Sequence, residues 1–586
     1  MKKILLAFSL LILCLLLSGY SESPSPTSQE LKAIADDYWK HQLEENLYLR
    51  LKFGMSIDKL PDVSYEGANK QTAFSQSILD RLKKIDPFGL THEELVSLYI
   101  LQWENSADIE AHSYFWLNTP VTPYASPIPT INRVFREFEF KNQADTTRYL
   151  NLLKQYANVV RTLRTIVQEQ FKRGIVLPKE EIALVVPFLQ SNAAEPASSP
   201  LSVSEERLKS VGDTTKFKQQ VGTVLTSELN PAYTDLASYI SGEYSTKARE
   251  NVGLAQLPGG KEYYRFLVRY YTTMSVSPED IHAIGLKQME ELNSEMEKIR
   301  KSLGYKGTKA EFHHYLKTDP KFFPKTADEV GDKLMEYITR IEPKISSYFM
   351  RLPKAPYGVK RLDPSLEGAM TFGYYQTPIP SDQKGYYNYN GSNLNQRSLL
   401  WAGSLIFHEL IPGHHFQICL QEENTSLHEF RRESFPTAYV EGWAEYTSTL
   451  AGEMGMYRDD YEKYGRLAMK AFLTNRLVVD TGMNLLGWPR KRAIEYMKEN
   501  LLVSDSEINT ETLRYSSDIP GQALAYMMGA NRIIELRVKA RNELKEKFDI
   551  RQFHDTVLAS GAMPMSVLEK HVDYYIKTVK SPQSAK

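Results

Sequence analysis

Phe407-His408-Glu409-Leu410-Ile411-Pro412-Gly413-His414-His415-Phe416-Gln417 gathers three imidazoles and a carboxylate beside a Pro-Gly pair. Histidine and glutamate are the donors zinc takes when it keeps one position open for water. The common helical solution sets two histidines at i and i+4, with glutamate next to the first. Here Pro412 stands four residues after His408, and the next histidines are His414 and His415. On an ideal helix six residues turn by about 240° and rise about 9 Å, so His408 and His414 would not share an ion. His415 returns to the same face but about 10 Å further along the axis. The motif therefore needs a broken or bulged helix. Pro412 excludes the bond back to the His408 carbonyl, and Gly413 admits unusual backbone angles. The stretch is read as the common motif with two residues inserted. His408 and His414 are the ligands, His415 is the alternative to His414, and Glu409 is the general base of a hydrolase. The bland reading, a helix end with surface histidines, fits this density of donors poorly.

A third ligand is expected from the next helix, where Thr437-Ala438-Tyr439-Val440-Glu441-Gly442-Trp443-Ala444-Glu445-Tyr446 offers two carboxylates at i, i+4 on one face. Glu441 is taken as the ligand. Glu445 is the alternative, otherwise placed behind the site to hold a ligand imidazole in its tautomer. Small and apolar neighbours argue against two solvated surface acids. Cys419 follows the histidines on an apolar stretch and reads as core rather than as a ligand.

The remaining composition is that of an ordinary globular chain of 586 residues, 42% hydrophobic and 24% charged. With 71 basic and 72 acidic residues the net charge is -1, so no global field draws the chain to nucleic acid or anionic membranes. Met1-Lys2-Lys3, an apolar run over 4–17 and Ser18-Gly19-Tyr20-Ser21 make an export signal, too short to span a bilayer. The order of residues also resembles a lipoprotein box, but Tyr20 stands where the acylated cysteine belongs. A soluble periplasmic or secreted product, free of the membrane after cleavage, is expected, with an uncleaved anchor as the lesser alternative. Residues 1–21 are then the signal peptide and 22–30 a flexible leader.

Helical patterns run from about residue 31, interrupted by a proline-rich loop over 119–130. A long helix is expected over 146–172, ending at Gly174. Residues 191–204 read as a surface linker between an N-terminal lobe (31–190) and a helical lobe with the zinc site (205–586). Ser277-Pro278-Glu279-Asp280 and Thr326-Ala327-Asp328-Glu329 are helix starts. Between 353 and 395 the chain is rich in Gly, Pro, Tyr and Asn, with alternation that suits a short β-hairpin. The expected class is mainly α: a two-lobed helical body around a deep cleft. Tyr374, Tyr375, Tyr386, Tyr387 and Tyr389 precede the zinc helix and are cleft candidates, half or more of them only packing.

Many segments resemble the bacterial family catalogued as domain of unknown function 885. The strongest are 408–415 and Glu441-Gly442-Trp443-Ala444-Glu445-Tyr446, joined by Gly174-Ile175-Val176-Leu177-Pro178, Tyr271-Thr272-Thr273, residues 476–482, Arg514-Tyr515, Pro520-Gly521-Gln522-Ala523 with Tyr526, and Phe553-His554-Asp555 with Gly561. The family is similar to the mostly helical, deep-channelled zinc peptidases such as angiotensin-converting enzyme and the M32-type carboxypeptidases. That resemblance implies a zinc ion, short peptides as substrates and Glu441 as third ligand. It also implies an oxyanion donor from a C-terminal tyrosine, for which Tyr526 is the candidate, with Tyr515 and Arg514 nearby. Asn484 departs from the histidine common in the family, which puts specificity in question. Arg514 is a candidate anchor for a substrate carboxylate. His554 and the Arg476–Asp480 pair read equally as buried structural groups or substrate contacts.

The function these readings imply is hydrolysis of short peptides by zinc-activated water. Alternatives are a zinc hydrolase of a non-peptide amide or ester, and a non-catalytic exported binding protein using the same cleft. Against the latter, Glu409 has no binding role that would require its place beside His408.

Overall fold

In the computed structural model, which describes residues 25–367, 373–379 and 382–581, helices make up most of the chain. Their boundaries follow local chemistry. Ser277 accepts a hydrogen bond from the Asp280 amide (3.1 Å) and Thr326 from the Glu329 amide (3.2 Å), so both expected starts are N-caps. The long helix α1 (Ala144–Lys172) stops just before Gly174, whose φ is 73°. Two expected loops are shorter than the sequence suggested. The proline-rich loop ends where a helix opens at Ile128 with Pro129 in its first turn, a place where a missing N–H costs nothing. The leader assigned to 22–30 becomes helical at Pro26, capped by Ser25. The signal assigned to residues 1–21 lies outside the described residues.

Two apolar cores organise the body, and they move the lobe boundary. The smaller core gathers buried residues from Leu47 to Tyr244. It therefore crosses 191–204: Leu201 and Val203 are buried in it, and the Tyr149 hydroxyl on α1 donates to the Leu201 carbonyl (2.6 Å). The helix α2 (Asn230–Ser241) packs on α1. Residues 191–204 thus fold into one lobe rather than joining two, because two buried apolar side chains pin an otherwise polar segment. The larger core combines Leu31, Ile34 and the helices Tyr65–Leu82 and His92–His112 with nearly everything after Val252.

The expected hairpin is present and gains a strand. The strands β1 (Tyr357–Arg361), β2 (Gly373–Gln376) and β3 (Gly385–Tyr389) form a sheet in the order β1-β3-β2. β2 runs antiparallel to β3, with Tyr375 opposite Tyr387, and β1 runs parallel to β3. After the sheet come the helices of the site: α3 (Ala402–Glu409), α4 (His414–Glu423), α5 (Thr437–Glu453), α6 (Asp460–Asn484), α7 (Asp505–Leu513) and α8 (Ala525–Leu544). α5 and α8 approach closely at glycines. A Cβ on Gly442 would lie 2.5 Å from the Gly529 backbone, and one on Gly529 would lie 1.9 Å from the Ala438 carbonyl oxygen.

Candidate metal centre

The helix break demanded by the sequence lies between α3 and α4. Residues 410–413 form a turn containing a cis Ile411–Pro412 bond, and α4 starts at His414. Gly413 is required there, since a Cβ would fall 1.8 Å from the His408 carbonyl oxygen. Helix α5 holds the turn from behind. The Trp443 indole N–H donates to the Pro412 carbonyl (3.0 Å), and the Thr447 hydroxyl donates to the Phe407 carbonyl (3.0 Å). His408 thus sits in the last turn of one helix and His414 opens the next. Their rings lie 4.8 Å apart at 88°.

Both imidazoles meet Glu441. Its Oε2 lies 3.4 Å from His408 Nε2 and 3.4 Å from His414 Nε2, and the three donor atoms lie within 4.8 Å of one another. A charge-assisted hydrogen bond would draw such atoms to about 2.7–2.9 Å. Bonds of about 2.1 Å at tetrahedral angles to one ion would hold them roughly 3.4 Å apart, so two imidazoles and a carboxylate fit a zinc site with an open position. Burial opposes charge on Glu441, but hydrogen bonds and the charges of both histidines hold its carboxyl far below the usual range. Burial also works against a charged His414, and Glu441 more than offsets it, raising that pKa. His414 Nδ1 is buried without a hydrogen-bond partner.

Glu409 ends α3 beside this group. Burial raises its pKa, against the pull of His414 and His408, and the backbone N–H of Tyr375 on β2 donates to it. The sheet thereby orients the proposed base. His415 turns the other way. It is fully buried, its Nδ1 3.0 Å or less from the Tyr375 hydroxyl (2.9 Å) and its Nε2 3.0 Å from the Ala355 carbonyl oxygen. Burial lowers its pKa to about 4. Cys419, 3.6 Å from that ring, is buried with its thiol pushed up to about 12. Glu445 also leaves the ligand group. It is buried against Arg466 (2.6 Å), which corrects the expectation that it would hold a ligand imidazole.

These groups open on a cavity of about 490 Å³, lined by His408, Glu409, His414, Glu441 and Tyr526, with Tyr374 and Tyr375 from β2. The Tyr526 ring stacks at 16° and 6.2 Å from the His408 ring. Burial, then the charge of Glu441, raises its pKa, so the phenol keeps its proton. Tyr526 lies in the first turn of α8, positioned through the preceding turn, where Asp480 accepts from the Gly521 amide (3.0 Å). Tyr515, by contrast, is fully buried, bonded to Arg476 (2.8 Å) and to Glu511. Arg514 lines the cavity and pairs with Glu511.

Arg476 and Asp480 do not pair. Asp480 accepts from the Tyr264 hydroxyl (2.6 Å), while Arg476 reaches Glu511 (3.1 Å) and the cavity wall, a cluster that spacing along the chain gave no means to find. Asn484 is buried, tied to Asp480, Leu254 and the Tyr515 carbonyl. His554 is buried behind α5, bonded to Tyr446 (2.6 Å) and the Tyr348 carbonyl (2.8 Å). Of the tyrosines before α3, Tyr387 and Tyr389 line an adjoining cavity of about 410 Å³ that shares Leu405, Glu507 and Thr510 with the first.

Comparison with known proteins agrees on the fold. The model of a family described as "Bacterial protein of unknown function (DUF885)" matches residues 48–572. A solved structure described as a "putative lipoprotein from Colwellia psychrerythraea" is 26% identical, covers 94% of this chain and 100% of its own, and superposes with a TM-score of 0.85. A "putative lipoprotein of unknown function from Shewanella oneidensis" is 18% identical over 93% of this chain and 99% of its own, with a TM-score of 0.73, a likeness of fold alone. No curated protein matches.

Proposed function

From the bacterial family of unknown function DUF885, to which the chain belongs, and from the ligand geometry, we propose a zinc-dependent metallopeptidase that hydrolyses short peptides. The observation that carries this reading is the convergence of His408 and His414 on Glu441, 3.4 Å from each imidazole with all three donors within 4.8 Å, and with Glu409 beside them on one cavity wall. The three residues would hold the ion, and the chemistry it supplies is polarisation of the scissile carbonyl and acidification of water. Glu409 takes the proton from the attacking water and passes it to the leaving amine, a role its raised pKa favours. Tyr526, protonated and facing the same cavity, donates to the carbonyl oxygen as charge develops there. A cavity of about 490 Å³ suits the end of a peptide rather than a folded protein. The apolar N-terminal run and the lipoprotein descriptions of the similar structures support export; among the described residues no helix is long and apolar enough to cross a membrane.

The test is digestion of a random peptide library by zinc-loaded protein, read by mass spectrometry with and without a chelator. Glu409→Gln is expected to keep its zinc and lose about 10²–10⁴-fold in rate. Unchanged hydrolysis in that variant would remove Glu409 as the base. No cleavage of any peptide by the zinc-loaded protein would move the reading to a non-peptide amide or ester.

A further inference from the structure

Away from the His408–His414–Glu441 group, another carboxylate is buried with nothing to satisfy it. Glu181 stands in the first turn of the helix Lys179–Asn192, is 0% exposed, and has no hydrogen-bond partner at either carboxylate oxygen among the described residues. The surroundings of that turn are firmly held. Glu180 pairs with Arg490 Nη1 (2.6 Å), while Arg490 Nε donates to the Thr512 hydroxyl (3.0 Å) and Nη2 to the Asn509 carbonyl (2.9 Å). The guanidinium is committed to these acceptors, and Glu181 receives no hydrogen bond from it. The same contacts lay the helix start against α7 and the turn Arg514–Asp518 that follows it. Asp518 is buried too, and its carboxylate accepts a long bond from the Tyr124 amide (3.4 Å). The Thr122 hydroxyl, 0% exposed, lies close enough to favour charge on Asp518 but makes no hydrogen bond of ordinary geometry. Burial, and then the nearby charge of Asp518, raise the Glu181 pKa to about 8, and burial raises that of Asp518.

A buried carboxylate without a donor or counter-ion is unfavourable, and a cation relieves it. The donor set says which cation. Two carboxylates and a hydroxyl are all oxygen, with no imidazole or thiol among them, which suits a hard ion rather than zinc. Magnesium demands a near-ideal octahedron and keeps most of its water, whereas calcium accepts irregular geometry and a carboxylate bound through both oxygens, as Glu181 offers. We propose that Glu181, Asp518 and Thr122 form a calcium site that fastens the loop of Thr122 and the helix of Glu181 to the turn Arg514–Asp518. The three segments come from both halves of the molecule, since Ile182 and Val185 beside Glu181 belong to the smaller core and Leu513 and Tyr515 to the larger. The ion lies behind the catalytic cavity. Tyr124 and Arg514 line that cavity, with the guanidinium 5.8 Å from the ring centre, so calcium sets the wall they form.

The test strips the full chain of metals, reloads it with one equivalent of zinc and titrates it with calcium chloride by calorimetry, with melting temperature followed in parallel. No turnover is read, so the result does not depend on the peptidase reading. The parent is expected to bind one calcium ion per chain with a dissociation constant of about 10⁻³ M or tighter, the range of extracellular sites. At tenfold that concentration it is expected to melt about 2 °C higher. Glu181→Gln and Asp518→Asn keep the shape of each side chain and remove its charge, so both are expected to fold, keep their zinc and lose at least about tenfold in calcium affinity. No calcium binding by the parent, a measurement that needs no variant, would overturn the site and leave Glu181 and Asp518 as an acid pair sharing a proton. Calcium affinity unchanged in either variant would place the ion elsewhere and overturn the site as well.

Discussion

His414 and His415 are neighbours in the chain, yet their rings enter different regions. On the cavity side, His414 Nε2 and His408 Nε2 converge on one oxygen of Glu441, at separations too long for a tight ion pair. On the sheet side, His415 has both ring nitrogens within 3.0 Å of protein groups, Tyr375 and the Ala355 carbonyl. A ring satisfied at both nitrogens is a structural strut, whereas rings gathered around one carboxylate leave lone pairs for an ion. The difference lies in what faces each nitrogen rather than in residue type.

The sharpest way to break this contrast is to truncate each ring. His414→Ala is expected to lower zinc affinity by about 10³-fold or more, since two remaining donors hold the ion poorly. His415→Ala is expected to keep stoichiometric zinc and to lose about 2–4 kcal/mol of stability through a cavity and unpaired polar groups. Zinc content by mass spectrometry and denaturant unfolding separate the two, and zinc loss in His415→Ala with His414→Ala intact would reverse the assignment.

The next effect is in pH. His415 is held neutral, its pKa lowered by burial from 6.5 to about 4. The unfolded chain binds a proton at this residue in that window and the folded chain does not, so stability is full above pH 6.5 and falls as pH drops toward 4. The loss from this group is about 3 kcal/mol. Burial lowers His554 to about 3 as well, and it adds with the same sign. Unfolding free energies measured at pH 7 and pH 4.5 check the slope, which should be shallower in His415→Asn.

The smallest effect sharpens how the cavity side is built. Trp443→Phe removes the donor to the Pro412 carbonyl and is expected to cost about 1–2 kcal/mol, with a modest weakening of zinc binding. Equal zinc affinity in the variant and the parent would show that the turn holds its shape without that bond.

Much of this was legible in the residues. The helical class, the N-caps at Ser277 and Thr326 and the break at Pro412-Gly413 follow from local rules of helix geometry and caps, while His408, His414 and Glu441 were candidates with His415 and Glu445 still open. The lobe boundary at 191–204 did not. Composition marked that segment as linker, but Leu201 and Val203 are buried in a core that also holds Tyr149, whose hydroxyl reaches the Leu201 carbonyl from 52 positions away. Likewise Glu445 looked like a partner for a ligand imidazole, being four residues from Glu441. Its neighbour across the helix interface is Arg466, which no local pattern announces.

The sequence by itself determined that the helix must break after His408, because a proline at the fourth position and a glycine beside it allow no regular turn to carry the chain on to His414. Only the tertiary structure decided which histidine joins His408 and Glu441, which acid is diverted to Arg466, and that Arg476 and Arg514 face the same cavity. Those outcomes depend on which side of each helix meets a neighbour far along the chain, and helix periodicity defines faces without naming what will cover them.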